Sequence, residues 1–257
     1  MALLAMAVYD TEENERSEYT RQTLISLFET VNFTQHRLFI IDNNSCQKTK
    51  NIIDTFLRQS INITLITNET NVGTAAAINQ AWKYRNPTEH LIKMDNDVVI
   101  NGYGWVEELE EAIETDITIG IIGLKRKDLM ENPFRNDEYK STLRMLRHEE
   151  GKRWIIVEDV QHVMGTCQMY NWRLIDKMGG LMQMGGLYGF DDTLSSIRAK
   201  ILCYKLCFLP HIEIDHIDEG GNAYTEWKRK YAGEQMKAFY ETKQGLINGT
   251  IDVKVKL

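Results

Sequence analysis

The chain has 257 residues, 43% of them hydrophobic and 26% charged, an ordinary globular composition with enough length to bury a sizeable core. Thirty Lys+Arg against 37 Asp+Glu leave a net charge of −7, so nucleic acid, which calls for a basic face, is not an expected partner. No apolar run approaches the roughly 18 residues needed to span a bilayer.

Ala2–Val8 is apolar but short and has no basic flank, so it reads as a buried first strand rather than a signal peptide. Glu15–Val31 follows with helical spacing, placing Leu24, Leu27, Phe28 and Val31 on one side. A second strand, Leu38–Ile41, stops at the turn-forming run Asp42-Asn43-Asn44-Ser45. A helix over Gln47–Arg58, a strand over Ile61–Thr67 and an Ala-rich helix over Thr74–Tyr84 come next. A fourth strand, His90–Met94, ends at Asp95-Asn96-Asp97. Strands alternating with helices of this length predict βαβ units around a mostly parallel sheet covered on both faces.

The second half is less regular. A helix is predicted at Trp105–Glu114 and a strand at Thr118–Leu124, followed by a charged loop, Lys125–Gly151, with a helix expected around Tyr139–His148. Strands near Trp154–Glu158 and Val163–Tyr170 precede a helix over Asn171–Met178. Two Gly-Gly pairs, Gly179-Gly180 and Gly185-Gly186, then lead to Gly189-Phe190-Asp191-Asp192, a helix over Thr193–Lys200 and a strand over Cys203–Leu209. After Pro210 and His216, a Gly220-Gly221 hinge and an amphipathic basic helix around Tyr224–Thr242 close the pattern. The four cysteines, Cys46, Cys167, Cys203 and Cys207, are too scattered for a disulfide framework and read as free thiols, so the expected location is cytoplasmic.

In open α/β sheets, ligands bind beyond the carboxyl ends of the strands. Four successive strand ends carry polar groups: Tyr9-Asp10, Asp42–Ser45, Asn68–Gly73 and Asp95–Asp97. Asp95-x-Asp97 places two carboxylates where both can reach one hard cation, Mn²⁺ or Mg²⁺, whose shell substrate phosphates often complete. Gly73, opening a helix, would let backbone approach a phosphate. Asp191 and Asp192 after a glycine-rich loop are candidates for a general base, and His216 is a plausible cation ligand beside a carboxylate. There is no G-x-G-x-x-G and no P-loop, which argues against a dinucleotide fold and a P-loop enzyme.

Taken in order, these segments resemble the family-2 glycosyltransferases of the GT-A fold over roughly residues 3–217. The matching pieces are Asp42-Asn-Asn-Ser45, Asn71-x-Gly73-x5-Asn79, Asp95-Asn-Asp97, Gly165-Thr-Cys-Gln-Met-Tyr with Arg173 and Gly179-Gly180, Gly189-Phe-Asp191-Asp192, and Pro210-x5-His216. The opening departs from the family pattern with Val8-Tyr9-Asp10, as do Gln80-Ala81 and Leu194. The resemblance implies a single Rossmann-like α/β domain: residues 1–100 binding nucleotide, 101–217 binding acceptor, and 218–257 packed on or closing over the site. It implies an inverting, metal-dependent transfer of a sugar from a UDP- or GDP-sugar to a glycan or other hydroxyl acceptor. Tyr9, Asp10, Asp42, Asn71, Gly73, Asn79, Asp95 and Asn96 would face the donor nucleotide. Asp97 and His216, with Asp95, would hold Mn²⁺ or Mg²⁺, and Asp192, or failing it Asp191, would take the acceptor's proton. Met178–Gly189 would be a lid, with Lys228-Arg229-Lys230 near the phosphates and Trp105, Trp172 or Trp227 available to stack on a sugar. A non-catalytic glycan- or nucleotide-binding module of the same fold, and a nucleotidyltransferase, are the alternatives.

Overall fold

The computed structural model describes residues 1–130, 141–149, 153–218 and 223–257. The first half runs β1 (Ala2–Val8), α1 (Ser17–Thr30), β2 (Arg37–Asp42), α2 (Gln47–Leu57), β3 (Ile63–Thr67), α3 (Thr74–Trp82), β4 (His90–Met94) and β5 (Val98–Ile100). The second half runs α4 (Trp105–Thr115), β6 (Ile119–Arg126), α5 (Lys127–Met130), β7 (Thr142–His148), β8 (Arg153–Asp159), β9 (Cys167–Tyr170), α6 (Trp172–Met178), α7 (Asp191–Ile201), β10 (Lys205–His216) and α8 (Ala223–Asn248).

Among the described residues, all ten strands belong to one sheet in the order β3-β2-β1-β4-β9-β6-β10-β8-β7, with β5 pairing β10. As expected, this is a central, mostly parallel sheet flanked by helices. β1–β4 are mutually parallel, and β10 is parallel to β6. β9 runs antiparallel between β4 and β6, joining the two halves. Alternation along β1 sends Leu4 and Met6 to one face, where α1, α2 and α4 pack, and Leu3 and Ala5 to the other, where α3, α6 and α7 pack. All four are fully buried, so Leu4→Ala would cost about 2–5 kcal/mol.

Three expectations change. The predicted helix at Tyr139–His148 is, from Thr142 on, strand β7, paired antiparallel with β8 from Thr142↔Asp159 to His148↔Arg153. Pairing overrides local propensity there, and Leu146 turns inward opposite Ile155. Residues 131–140 lie outside the described chain, as does the Gly220-Gly221 hinge. The strand predicted to stop at Leu209 continues to His216. It passes Pro210 by a register shift between Leu209 and Glu213, because proline has no N–H for the ladder. Strand β5, three residues long, follows Asp97 directly and pairs His216 with Val98.

Candidate active site

Two adjoining clefts open at the carboxyl ends of the parallel strands. The first, about 610 Å³ to its mouth, is lined by Tyr9, Asn43, Asn71, Asp95, Asn96 and Asp97, among others. Of the predicted donor residues, Tyr9, Asn71, Asp95 and Asn96 thus meet at one cavity, and Asn43 joins them in place of its neighbour Asp42. Asp42 is buried, and its Oδ1 accepts the Ser45 N–H at 2.8 Å, holding the turn that presents Asn43.

Asp10 lies beneath this floor. Fully buried, it accepts hydrogen bonds from Thr20 Oγ1 (2.6 Å), Thr49 Oγ1 (3.1 Å) and Asn96 Nδ2 (3.0 Å), tying α1, α2 and the Asp95–Asp97 turn together. Burial pushes its carboxyl above the ordinary range, against those hydrogen bonds and Arg16. Gly73 and Asn79 serve the glycine-rich segment instead. Gly73 has φ +87°, and a Cβ there would collide with the Gln183 amide. Asn79 bonds the Leu181 backbone in both directions, Nδ2 to O at 2.8 Å and N–H to Oδ1 at 2.7 Å.

The structure brings two of the three predicted metal ligands together. Because β5 pairs with the end of β10, His216 Nε2 comes within 3.5 Å of Asp97 Oδ2. The same oxygen accepts Arg16 Nη2 at 2.5 Å, while Asp97 Oδ1 is buried and accepts no hydrogen bond among the described residues. Burial alone would raise the Asp97 carboxyl, but His216 and Arg16 outweigh it and hold it well below the carboxylate range. Arg16 reaches Asp218 Oδ2 with its other arm at 2.6 Å and is itself buried. Asp95, more exposed, turns toward Lys93 instead, accepting its Nζ at 2.8 Å. Among the described residues no group of three His, Cys, Asp or Glu side chains is placed to hold an ion by itself.

The second cleft, about 750 Å³, includes Lys93, Asp95, Arg126, Gly165, Asp191, Asp192 and His216 in its wall. Asp191 and Asp192 form the first turn of α7, after Phe190 in a left-handed conformation (φ +65°). A bulky residue there carries about 1–3 kcal/mol of strain, offset where Phe190 stacks on Phe239 of α8 at 4.3 Å. Asp192 accepts the Gly165 N–H at Oδ2 (3.0 Å) and the Thr193 N–H at Oδ1 (2.6 Å), with His162 Nε2 at 3.6 Å. Burial would raise it, yet His162 and Lys93 bring it down to about 2. Asp191 goes the other way: burial raises it further than Lys93 lowers it, and its Oδ2 accepts no hydrogen bond among the described residues.

Lys93, Arg16 and Asn43 carry roles that the sequence reading did not give them. A lysine inside the apolar strand His90–Met94 was a readable signal. Arg16 was not, because its partners lie 81 and 202 residues away. Of the basic run, Lys228 lines both clefts and lies over the Tyr188 ring at 5.6 Å, while Arg229 and Lys230 are exposed. Trp105 is fully buried core, Trp172 packs under Arg173 at 4.3 Å, and the side chain of Trp227 lies outside the described residues. No described helix is long and apolar enough to cross a membrane.

Comparison with known proteins adds the following. The family model described as glycosyl transferase family 2 matches residues 12–179. No curated protein matches the sequence. Among solved structures, the mannosyltransferase PcManGT from Pyrobaculum calidifontis, in complex with GDP-Man and Mn²⁺, superposes with TM-score 0.69 at 16% identity, covering 95% of this chain and 64% of that one. GalNAc-T7 with UDP, GalNAc and Mn²⁺ gives 0.62 at 13% identity, covering 84% of this chain and 43% of that one. TarS 1-349 from S. aureus gives 0.57 at 16% identity, covering 85% and 61%. The chain therefore spans 43% to 64% of the length of these three structures.

Proposed function

Since the chain belongs to glycosyl transferase family 2, we propose that it transfers a sugar from a UDP- or GDP-sugar to an acceptor hydroxyl, with inversion and with help from a divalent cation. The observation that carries this is the meeting of two clefts at Asp95: one floored by amides and carboxylates at parallel strand ends, the other walled by Asp191 and Asp192. The structural neighbours whose names include GDP-Man or UDP with Mn²⁺ support the same class of donor. On this reading residues 1–100 are the donor half, 101–217 the acceptor half, and α8 packs against both clefts through Lys228.

Asp97 and His216 are the residues that would hold the cation. A carboxylate with one buried oxygen that accepts no hydrogen bond among the described residues, and an imidazole nitrogen 3.5 Å from its other oxygen, is a donor set that Mn²⁺ or Mg²⁺ accepts. Two protein ligands suit an ion that completes its shell with substrate phosphates. When bound, it supplies Lewis-acid stabilisation of the diphosphate leaving group.

The chain's own residues do the rest. Tyr9, Asn43, Asn71 and Asn96 line the nucleotide's place. Asp192, whose side chain is 26% exposed against 14% for Asp191, faces the acceptor more openly and is the proposed base. As the acceptor oxygen bonds to the anomeric carbon and the bond to the diphosphate breaks, the acceptor's proton passes to the Asp192 carboxylate. Thermal unfolding with UDP or GDP, each with Mn²⁺ and with EDTA, tests the donor site. At a hundredfold excess over Kd, binding adds about 2.7 kcal/mol, or roughly 5–10 °C for a chain of this size. A shift that EDTA abolishes is expected; no shift with either nucleotide would overturn the reading.

A further inference from the structure

Strand β4 lies between β1 and β9 and is covered on both faces, yet its fourth residue is a lysine. Leu91 and Lys93 point to the face packed by α3 and α6, while Ile92 and Met94 point to the other. A charge placed there is expensive unless it is paired and hydrogen-bonded. The Lys93 side chain is 4% exposed, and its ammonium emerges where the two clefts join. Two of its three hydrogens have clear acceptors, Asp95 Oδ1 at 2.8 Å and the Gly165 carbonyl at 2.6 Å. Asp191 Oδ2, buried and without a hydrogen-bond donor among the described residues, lies 3.7 Å away on the remaining side.

Gly165 gives a second, independent sign that the lysine is built in. A Cβ at this position would sit 2.6 Å from Lys93 Nζ and 3.3 Å from Asp192 Cβ, so any other residue would push the ammonium from its present place. Its peptide groups then pass the restraint onward, because the Gly165 N–H donates to Asp192 Oδ2 at 3.0 Å. Asp95, Lys93, Gly165 and Asp192 form a continuous chain of contacts, with Asp191 as a branch.

We propose that Lys93 is a positioning residue that holds the donor-side carboxylate Asp95 and the acceptor-side pair Asp191–Asp192 in one frame. This deepens the transferase reading above and rests on it. No contact to substrate is required of the lysine. Its effect is to fix the distance between the group facing the donor and the group taking the proton, and a small misplacement at a reacting centre costs rate more than affinity.

The test compares wild type with Lys93→Met, which keeps the stem and removes the charge, and Gly165→Ala, which keeps the charge and displaces it. The readouts are release of nucleoside diphosphate from GDP-mannose and UDP-GalNAc with Mn²⁺, and the affinity for GDP and UDP. Both variants should lose about a hundredfold or more in kcat while donor KM and nucleotide affinity change less than about threefold, a split that a purely structural lysine would not produce. A kcat within about fivefold of wild type in Lys93→Met, or a loss carried by KM, would overturn the assignment. Unfolding of Lys93→Met, Asp191→Asn and the double variant decides the same point without turnover. The double variant should recover much of the Tm lost by Lys93→Met, because it no longer buries an uncompensated carboxylate, whereas additive losses would show that Lys93 does not hold Asp191. Should wild type release no nucleotide from either donor, the melting comparison still decides the role of Lys93, and the thermal shift with UDP or GDP separately decides the transferase reading.

Discussion

The cleft proposed for the donor rests on four parallel strands whose order, β3-β2-β1-β4, repeats one βαβ rule, whereas the one proposed for the acceptor is assembled from a turn before β9, the first turn of α7 and the end of β10. Their charges are arranged just as differently. At the first cleft Asp10 and Asp42 are buried and bonded to neighbours and shape the floor, while Asp97, held by Arg16 through Oδ2, keeps a buried Oδ1 that accepts no hydrogen bond among the described residues. At the second cleft Asp191 lies 3.7 Å from Lys93 Nζ with an Oδ2 that accepts no hydrogen bond among the described residues, while Asp192 faces His162 at 3.6 Å. In the proposed transfer, the bonded frame of the first cleft would hold the nucleotide and the Asp191–Asp192 pair of the second would face the acceptor.

Three substitutions separate the two regions. Asp192→Asn should lower transfer by about 10²–10⁴-fold while nucleotide-dependent stabilisation persists; retained turnover would move the base role to Asp191, and Asp191→Asn would then be the variant that loses it. Arg16→Met should cost about 3–5 kcal/mol in denaturant unfolding, because Asp97 and Asp218 would keep their buried charges without the guanidinium between them. The sign with pH follows from Asp97: its folded carboxyl lies below the unfolded value, so its contribution is complete above about pH 4 and is lost as the pH falls through the folded value. The gap between wild type and Arg16→Met should therefore narrow on acidification. Asn79→Ala removes both bonds to Leu181 and should cost about 1–3 kcal/mol, with turnover falling as the glycine-rich segment loosens.

The fold of the first hundred residues could be read ahead of the structure because its signals are local. Short apolar runs, each ended by Asn, Asp or Gly, fix the strands and the edge where ligands sit. The acceptor half depends on pairings between distant segments. Thr142–His148 takes its strand conformation from β8, and β5 is three residues long, below what periodicity can detect. The same limit divides the site residues. Asp95, Asp97, His216 and the Asp191–Asp192 pair were legible as candidates by type and place, and all of them line the two clefts. Asp42, Gly73 and Asn79 have the right neighbours but direct their groups to the chain itself, which only the hydrogen-bond partners reveal.

The Gly179-Gly180 turn has a backing strand of its own. Val255 pairs beside Gly179, a Cβ there would collide with the Val255 carbonyl, and buried Arg198 binds the carbonyls of Met178, Gly180 and Val253. During synthesis on the ribosome, then, the parallel strands under the first cleft can form early from contiguous sequence, but the segment that borders both clefts cannot set until residues some seventy-five positions further on have emerged. A nascent chain would pass through a stage with the β1–β4 platform formed and the glycine-rich border of both clefts still unframed, and a tag or cleavage near Val255 would prolong that stage.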